Sequence, residues 1–141
     1  MQFELVSPER RLASRDDATA VRIPGADGDM TAMADHAPAI TSLRPGILTV
    51  ETGSGQDSYA VTGGFAEIGA GVVVLAERAL HVDDVTQEVF DDWIEEAHAA
   101  HRNARDRGEG TEGGVDAAAK LVADMVAMGD HIGLNSKQPN L

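Results

Sequence analysis

The chain has 141 residues, with 24 Asp and Glu against 11 Lys and Arg, a formal charge of -13. That charge excludes non-specific nucleic-acid binding and attraction to an anionic membrane, which both need a cationic surface, and it suits a partner with a basic patch. Hydrophobic residues make up 43% but aromatics only 4%, so a core is affordable and must be filled by Val, Ile, Leu, Ala and Met.

There is no Cys, which removes thiol catalysis, thiolate metal sites and a disulfide framework. The N-terminal MQFELVSPERR has no apolar core segment, so no Sec-type signal peptide is expected. No apolar run approaches the roughly 18 residues of a spanning helix. The expectation is a soluble chain without direct membrane insertion, reaching a membrane only through partners.

Taken in order, Gln2 to Ser7 alternates Phe3 and Leu5 inward with Gln2 and Glu4 outward, a first strand ended by Ser7-Pro8. Leu12 to Arg15 predicts a second strand, with Asp16-Asp17 as turn formers. Ala18 to Ile23 predicts a third, stopped by Pro24-Gly25. Ala26-Asp27-Gly28 is a turn, Asp29 to Met33 a short strand, and Asp35-His36-Ala37-Pro38 a loop. Val21 to Gly46 thus holds three Gly and three Pro, dense turn chemistry between β-like runs.

Ile40 to Leu43 and Ile47 to Glu51 flank Arg44-Pro45-Gly46. Gly53 to Asp57 reads as a hairpin loop into Ser58 to Thr62. Phe65 to Ile68 and Val72 to Leu75 follow, the last expected to be the most buried strand. Residues 1 to 82 thus give about eight to ten short strands with frequent turn signals, the mark of an antiparallel sandwich or flattened barrel. From Val82 the period changes. Asp83 or Asp84 is the expected N-cap of an amphipathic helix through Val85, Phe90, Trp93, Ile94, Ala97, Ala100 and Ala104. Its start is acidic and its end basic, which suits the helix dipole. GEGTEGG, Gly108 to Gly114, breaks it. A second, shorter helix is expected from Val115 to Gly129, giving a helical hairpin whose Ala-lined stripe permits close approach. Asn135 to Leu141 read as frayed.

Few residues propose chemistry. Gly53-Ser54-Gly55 lacks the later Gly and following helix of a dinucleotide fingerprint. Glu95 and His98 share a helical face, with His101 one turn on, in the manner of carboxylate-bridged di-metal bundles. The second helix offers no matching pair, because Asp130-His131 are adjacent and past its expected end. Asp35-His36 has no Ser nucleophile beside it, so His36 is read as bonding loop carbonyls and Pro38 as fixing chain direction. Asp27 and Asp29 flank Gly28 without the ligand series of a calcium loop. No catalytic residue, metal site or cofactor is expected, which leaves a binding or structural module.

Several short motifs, in order, carry a resemblance. They are Leu5-Val6-Ser7-Pro8-Glu9, Pro24 to Asp29, His36 to Thr41, Leu43 to Gly46, Tyr59 to Glu67 and Val74 to Ala79. Together they identify the chain as similar to the epsilon subunit of F-type ATP synthases over nearly its full length. The resemblance implies a ten-stranded antiparallel β-sandwich followed by an antiparallel two-helix hairpin. The expected division is a sandwich at 1–82 that binds gamma and the c-ring, a hairpin at 83–133, and a flexible tail at 134–141.

The resemblance further implies a non-catalytic central-stalk subunit that binds the gamma subunit, sits on the ring of membrane c subunits and couples the two. It implies a peripheral position on the cytoplasmic face of the bacterial inner membrane. Asp27, Gly28, Asp29, Met30 and Thr31 fall on the loop that faces the ring in this family, and another face of the sandwich would pack on gamma. In many bacterial members the hairpin reaches the catalytic alpha and beta subunits and inhibits hydrolysis. Here the second helix has one base, Lys120, and is expected to be short, so weak or absent inhibition is expected. The ATP-binding motif of some members aligns with Ile94, Glu95, His98 and Ala99. His replaces the Arg whose fork grips phosphate, so weak or no ATP binding is expected. The alternative, from another class, is a stand-alone ligand- or metal-binding β domain with a helical lid using Glu95, His98 and His101.

Overall fold

The computed structural model describes residues 1–106 and 112–134. Ten strands come first: β1 (Phe3–Val6), β2 (Arg11–Arg15), β3 (Ala18–Gly25), β4 (Gly28–Ala32), β5 (Ala39–Leu43), β6 (Gly46–Thr52), β7 (Gly55–Val61), β8 (Gly64–Ile68), β9 (Val72–Ala76) and β10 (Ala79–His81). A 3-10 turn at Val82–Asp84 follows, then helices α1 (Gln87–Asp106) and α2 (Glu112–His131). The chain divides into two compact units, Met1–Asp84 and Val85–Leu141.

The strands form one hydrogen-bonded path, β10-β7-β6-β3-β5-β8-β9-β1-β2, with β4 on the free edge of β3. The link between β3 and β5 is a single pair, Gly25 with Leu43. That seam separates two five-stranded sheets, and their inner faces share one core. Val21, Ile23, Leu48, Val50 and Val61 come from one sheet; Phe3, Leu5, Ala66, Val72 and Val74 come from the other. The arrangement is the expected sandwich, with one parallel pair, β1 beside β9. The alternating pattern places these side chains inward, and burying each large one contributes about 1.5–3 kcal/mol.

Three strand readings are corrected. β3 does not stop at Pro24-Gly25: both residues stay in the ladder, opposite Asp29 and Gly28, and the turn is only Ala26-Asp27. Proline is tolerated because its carbonyl, not an amide, makes the cross-link, accepting from the Arg44 amide at 3.0 Å. β9 is not buried on both faces: Leu75 is 53% exposed, because the outer face of its sheet is uncovered within this unit. The β6–β7 connection is shorter than expected, since strand pairing runs to Thr52 with Gly55. The tenth strand of the expected sandwich, to which the residue pattern assigns no span, is β10, which adds Ala79–His81 to the edge of β7.

In the second unit, α1 presents Phe90, Trp93, Ile94 and Ala97 as one buried stripe, and α2 answers with Met125 and Met128. The N-cap is Thr86, not Asp83 or Asp84. Its hydroxyl accepts the Val89 amide at 3.2 Å, whereas the two Asp lie in the preceding 3-10 turn. α2 is 20 residues long, as long as α1, so the shorter-helix expectation fails. It runs through Gly129 and takes in Asp130-His131. The stop is Gly133, at φ +81°, with Leu134 N–H bonding the Gly129 carbonyl at 2.8 Å and Gly133 N–H the Asp130 carbonyl at 3.2 Å, a Schellman closure. Gly129 serves contact instead: a Cβ there would run into the Phe90 ring, so the two helices approach closely at that point. Of the expected break at Gly108 to Gly114, residues 108–111 lie outside the described residues, whereas Glu112, Gly113 and Gly114 already belong to α2, which starts before the expected Val115. The expected frayed tail, 135–141, lies outside the described residues.

Candidate functional site

The β3–β4 turn protrudes at the seam between the two sheets. Gly28 stands at φ +137°, a conformation L side chains rarely adopt, and closes the two-residue turn. Asp27 is exposed at the tip, with Asp29 and Thr31 exposed along β4; Met30 is half-buried and packs on the core. The five residues expected at a ring contact therefore share one protruding arm.

Arg44, at the start of the β5–β6 turn, holds that arm. Its Nη1 donates to the Gly25 carbonyl at 2.6 Å, and its Nη2 donates to the Asp29 carboxylate. The Arg44 side chain is 26% exposed and Asp29 is 77% exposed. Two backbone bonds add to the clamp: Arg44 N–H to the Pro24 carbonyl at 3.0 Å and Ala26 N–H to the Ser42 carbonyl at 2.8 Å. Residue-level reading placed Arg44 only in a turn. The missing signal is the β3–β5 register, which brings positions 15 apart into contact.

His36 is half-buried, and its Nδ1 donates to the Ala37 carbonyl at 2.6 Å, which requires the proton on that nitrogen. Its amide closes a turn onto the Met33 carbonyl at 2.9 Å. Pro38 follows, exposed, at the entry to β5. Asp35 is exposed and does not meet the His36 ring in any ion pair among the described residues.

The outer face of the second sheet carries a feature that sequence order conceals. Register places Ser42, Phe65, Leu75 and Val6 in one row across β5, β8, β9 and β1. Phe65 and Leu75 are 57% and 53% exposed, and Ile40, diagonal to Phe65, is 73% exposed. The next row runs Ile40, Glu67, Val73 and Glu4, an acidic border. An apolar row of this kind with a charged rim is the anatomy of a protein contact.

A second polar cluster lies on β2, β7 and β10. Arg15 bonds Asp17 (2.9 and 3.1 Å) and Asp57 (2.9 Å). The Arg15 guanidinium holds the Asp17 carboxyl below its ordinary range, and the same bond raises Arg15. Burial, with Asp57 nearby, pushes the Tyr59 hydroxyl up. His81 stacks edge-on to Tyr59 at 5.3 Å, and its Nδ1 accepts the Asp83 amide at 3.2 Å.

On α1, Ile94 is buried in the helical pair, Glu95 is exposed, and His98, Ala99 and His101 are half-buried. Glu95 accepts from Arg102 Nη2 at 2.8 Å, two turns on, and that bond lowers its pKa. Among the described residues no three His, Asp or Glu side chains converge as metal ligands. Lys120 is held by Asp124 at 2.7 Å. No described helix is long and apolar enough to cross a membrane.

Residues 1–82 match the family described as ATP synthase, Delta/Epsilon chain, beta-sandwich domain. The chain is 54% identical to the ATP synthase epsilon chain of Ruegeria sp. (strain TM1040) over 135 residues, 95% of this chain and 97% of that one. It is 51% identical to the ATP synthase epsilon chain of Paracoccus denitrificans (strain Pd 1222) over 142 aligned residues, 99% and 95% of the two chains. Among solved structures, it resembles a chain of the Euglena gracilis mitochondrial ATP synthase (OSCP/F1/c-ring) with TM-score 0.65 and 22% identity, covering 92% of this chain and 78% of that one. A chain of the Tetrahymena thermophila mitochondrial ATP synthase central stalk/c-ring gives 0.63 and 17%, covering 93% and 94%. At those identities the two structures speak for the fold.

Proposed function

The chain belongs to the epsilon-chain family of ATP synthases, and from that membership we propose that it is a non-catalytic rotor subunit joining the gamma shaft to the c-ring. The observation that carries the reading is the exposed apolar row Phe65, Leu75 and Val6 with Ile40 beside it. On its own such a face is a solubility liability; against gamma it becomes a buried contact, with Glu4 and Glu67 setting register against basic groups. The β3–β4 arm, carrying Asp27, Gly28, Asp29, Met30 and Thr31, is assigned to the polar loops of the ring. Within the assembly the chain is peripheral and lies on the cytoplasmic face of the membrane.

The test is co-purification with gamma. Phe65→Glu and Leu75→Glu, both outward and so compatible with folding, are expected to abolish retention of the chain on gamma and to uncouple ATP synthesis. Full retention by the double variant would sink the gamma assignment.

Weak inhibition of hydrolysis through alpha and beta remains part of the proposal, now on charge alone. Lys120, the single Lys or Arg of α2, is already engaged by Asp124. Weak or absent ATP binding is proposed on the same footing, since Glu95 is taken by Arg102 and His98 stands where a phosphate-gripping Arg would be needed. Calorimetry giving a micromolar dissociation constant for ATP would overturn it. The metal-binding lid reading is not favoured, since nearly the whole chain aligns with epsilon chains.

A further inference from the structure

Building on the ring-facing reading of the β3–β4 arm, we infer that Arg44 is a positioning residue for that arm and that Asp27, rather than Asp29, supplies the charge offered to the ring. The guanidinium fork spans two parts of the turn, the Gly25 carbonyl and the Asp29 carboxylate. A planar fork with fixed donors does this where a single ammonium would reach one partner at a time. The Arg44 amide and the Ser42 carbonyl close the same staple along the backbone. The arm grows from one sheet and is pinned by a residue just past β5, where the chain leaves the other, across a seam of one strand pair.

The staple divides two carboxylates that look equivalent in sequence. Asp29 is neutralised by Arg44, so an approaching cationic loop meets a pair of no net charge. Asp27 sits exposed at the tip, with no ion-pair or hydrogen-bond partner among the described residues. Arg44 thereby does two things: it fixes the direction of the arm, and it leaves one net charge at the tip. The partner chemistry is a cationic side chain on a polar loop of a ring subunit, recognised at single-charge resolution.

The experiment uses whole F1 carrying variant epsilon chains, bound to F1-stripped vesicles that retain the ring, with gamma co-purification as the folding control. Asp27→Asn is expected to weaken binding roughly fivefold at low salt, with the effect largely gone at high salt. Asp29→Asn is expected to weaken binding less than Asp27→Asn, and to have a larger effect in an Arg44→Ala background, where the exposed Asp29 carboxylate is released from its partner. Arg44→Lys is expected to fall between wild type and Arg44→Ala. Asp29→Asn weakening binding more than Asp27→Asn, additively with Arg44→Ala, would overturn the inference. Because the chain has no native Cys, Asp27→Cys and Asp29→Cys also give unique cross-linking handles. Cross-linking of either to a ring subunit supports the ring-facing reading, whichever charge dominates. If neither cross-links and neither Asn variant alters binding, that reading falls with the inference.

Discussion

The two units hold themselves together in opposite ways. The sandwich is a network of long-range pairings in which ten strands contribute to a single core, so no one contact defines it. The helical pair rests on one short stripe: Phe90, Trp93, Ile94 and Ala97 against Met125 and Met128, with the Phe90 ring laid over Gly129. The first design spreads a lost contact over many neighbours. The second concentrates it, which makes the helical pair the easier of the two to open. The chain supplies a reporter for each: its one Tyr, Tyr59, lies in the sandwich, and its one Trp, Trp93, in the helical pair.

The sharpest way to break this contrast is in the sandwich core. Phe3→Ala removes a fully buried ring and is expected to cost about 3–5 kcal/mol in denaturant unfolding followed by strand circular dichroism and Tyr59. The Trp93 transition is expected to stay in place; equal shifts of both probes would show that the units unfold as one. Next comes Gly129→Val, which drives a side chain into Phe90 and is expected to cost the helical pair about 1–3 kcal/mol. Trp93 emission should shift to the red while the strand signal holds; unchanged emission would show that the approach at Gly129 is not limiting.

Smaller still is Thr86→Ala, which leaves the Val89 amide without its cap and is expected to lower helix stability by about 1 kcal/mol. Hydrogen exchange over the first turn of α1 reads it, and unaltered protection there would refute the capping role. The smallest effect is on pH. Asp17 and Glu95 have lowered pKa values, so the stability each adds is present above its ordinary value, about 3.9 for Asp and 4.3 for Glu, and is lost as pH falls through the lower folded value. Both are exposed, so the acid limb is shallow. Arg15→Ala should flatten it for the sandwich and Arg102→Ala for the helices, in melting curves taken from neutral to acid pH.

Much of this molecule could be read from its residues in order. Phe3 and Leu5, Val21 and Ile23, and Leu48 and Val50 alternate so cleanly that strand and inner face follow together. Phe90, Trp93, Ile94 and Ala97 declare a helix by their spacing. Other features depend on which strands meet. The apolar row joins β5, β8, β9 and β1, segments scattered over most of the sandwich, so Ile40, Phe65 and Leu75 look like ordinary strand residues until register aligns them. Val72 to Leu75 read as the most buried strand for the same reason, because an uninterrupted apolar run hides which of its side chains face outward. Arg44 was visible as a turn residue, but its hold on Asp29 exists only through the seam. Glycine was ambiguous in α2: Gly129 resembled a stop and proved a contact, whereas Gly133 supplies the left-handed residue that ends the helix.

One feature of the sandwich bears on how the chain is made. β1 lies between β2, its near neighbour in sequence, and β9, which begins at Val72. As the polypeptide leaves the ribosome, the β1–β2 hairpin can form at once, yet the other edge of β1 waits until β9 has emerged. Meanwhile β3, β4, β6 and β7 can zip through nearest-neighbour or short-range pairings. Four strands of one sheet can therefore pair early, with β10 added to their edge last, whereas the other sheet stays open at β1 until a distant strand arrives, a slow closure for non-local pairing. Until then Phe3 and Leu5 lack most of their final neighbours, and this is the interval in which a nascent chain most needs a chaperone.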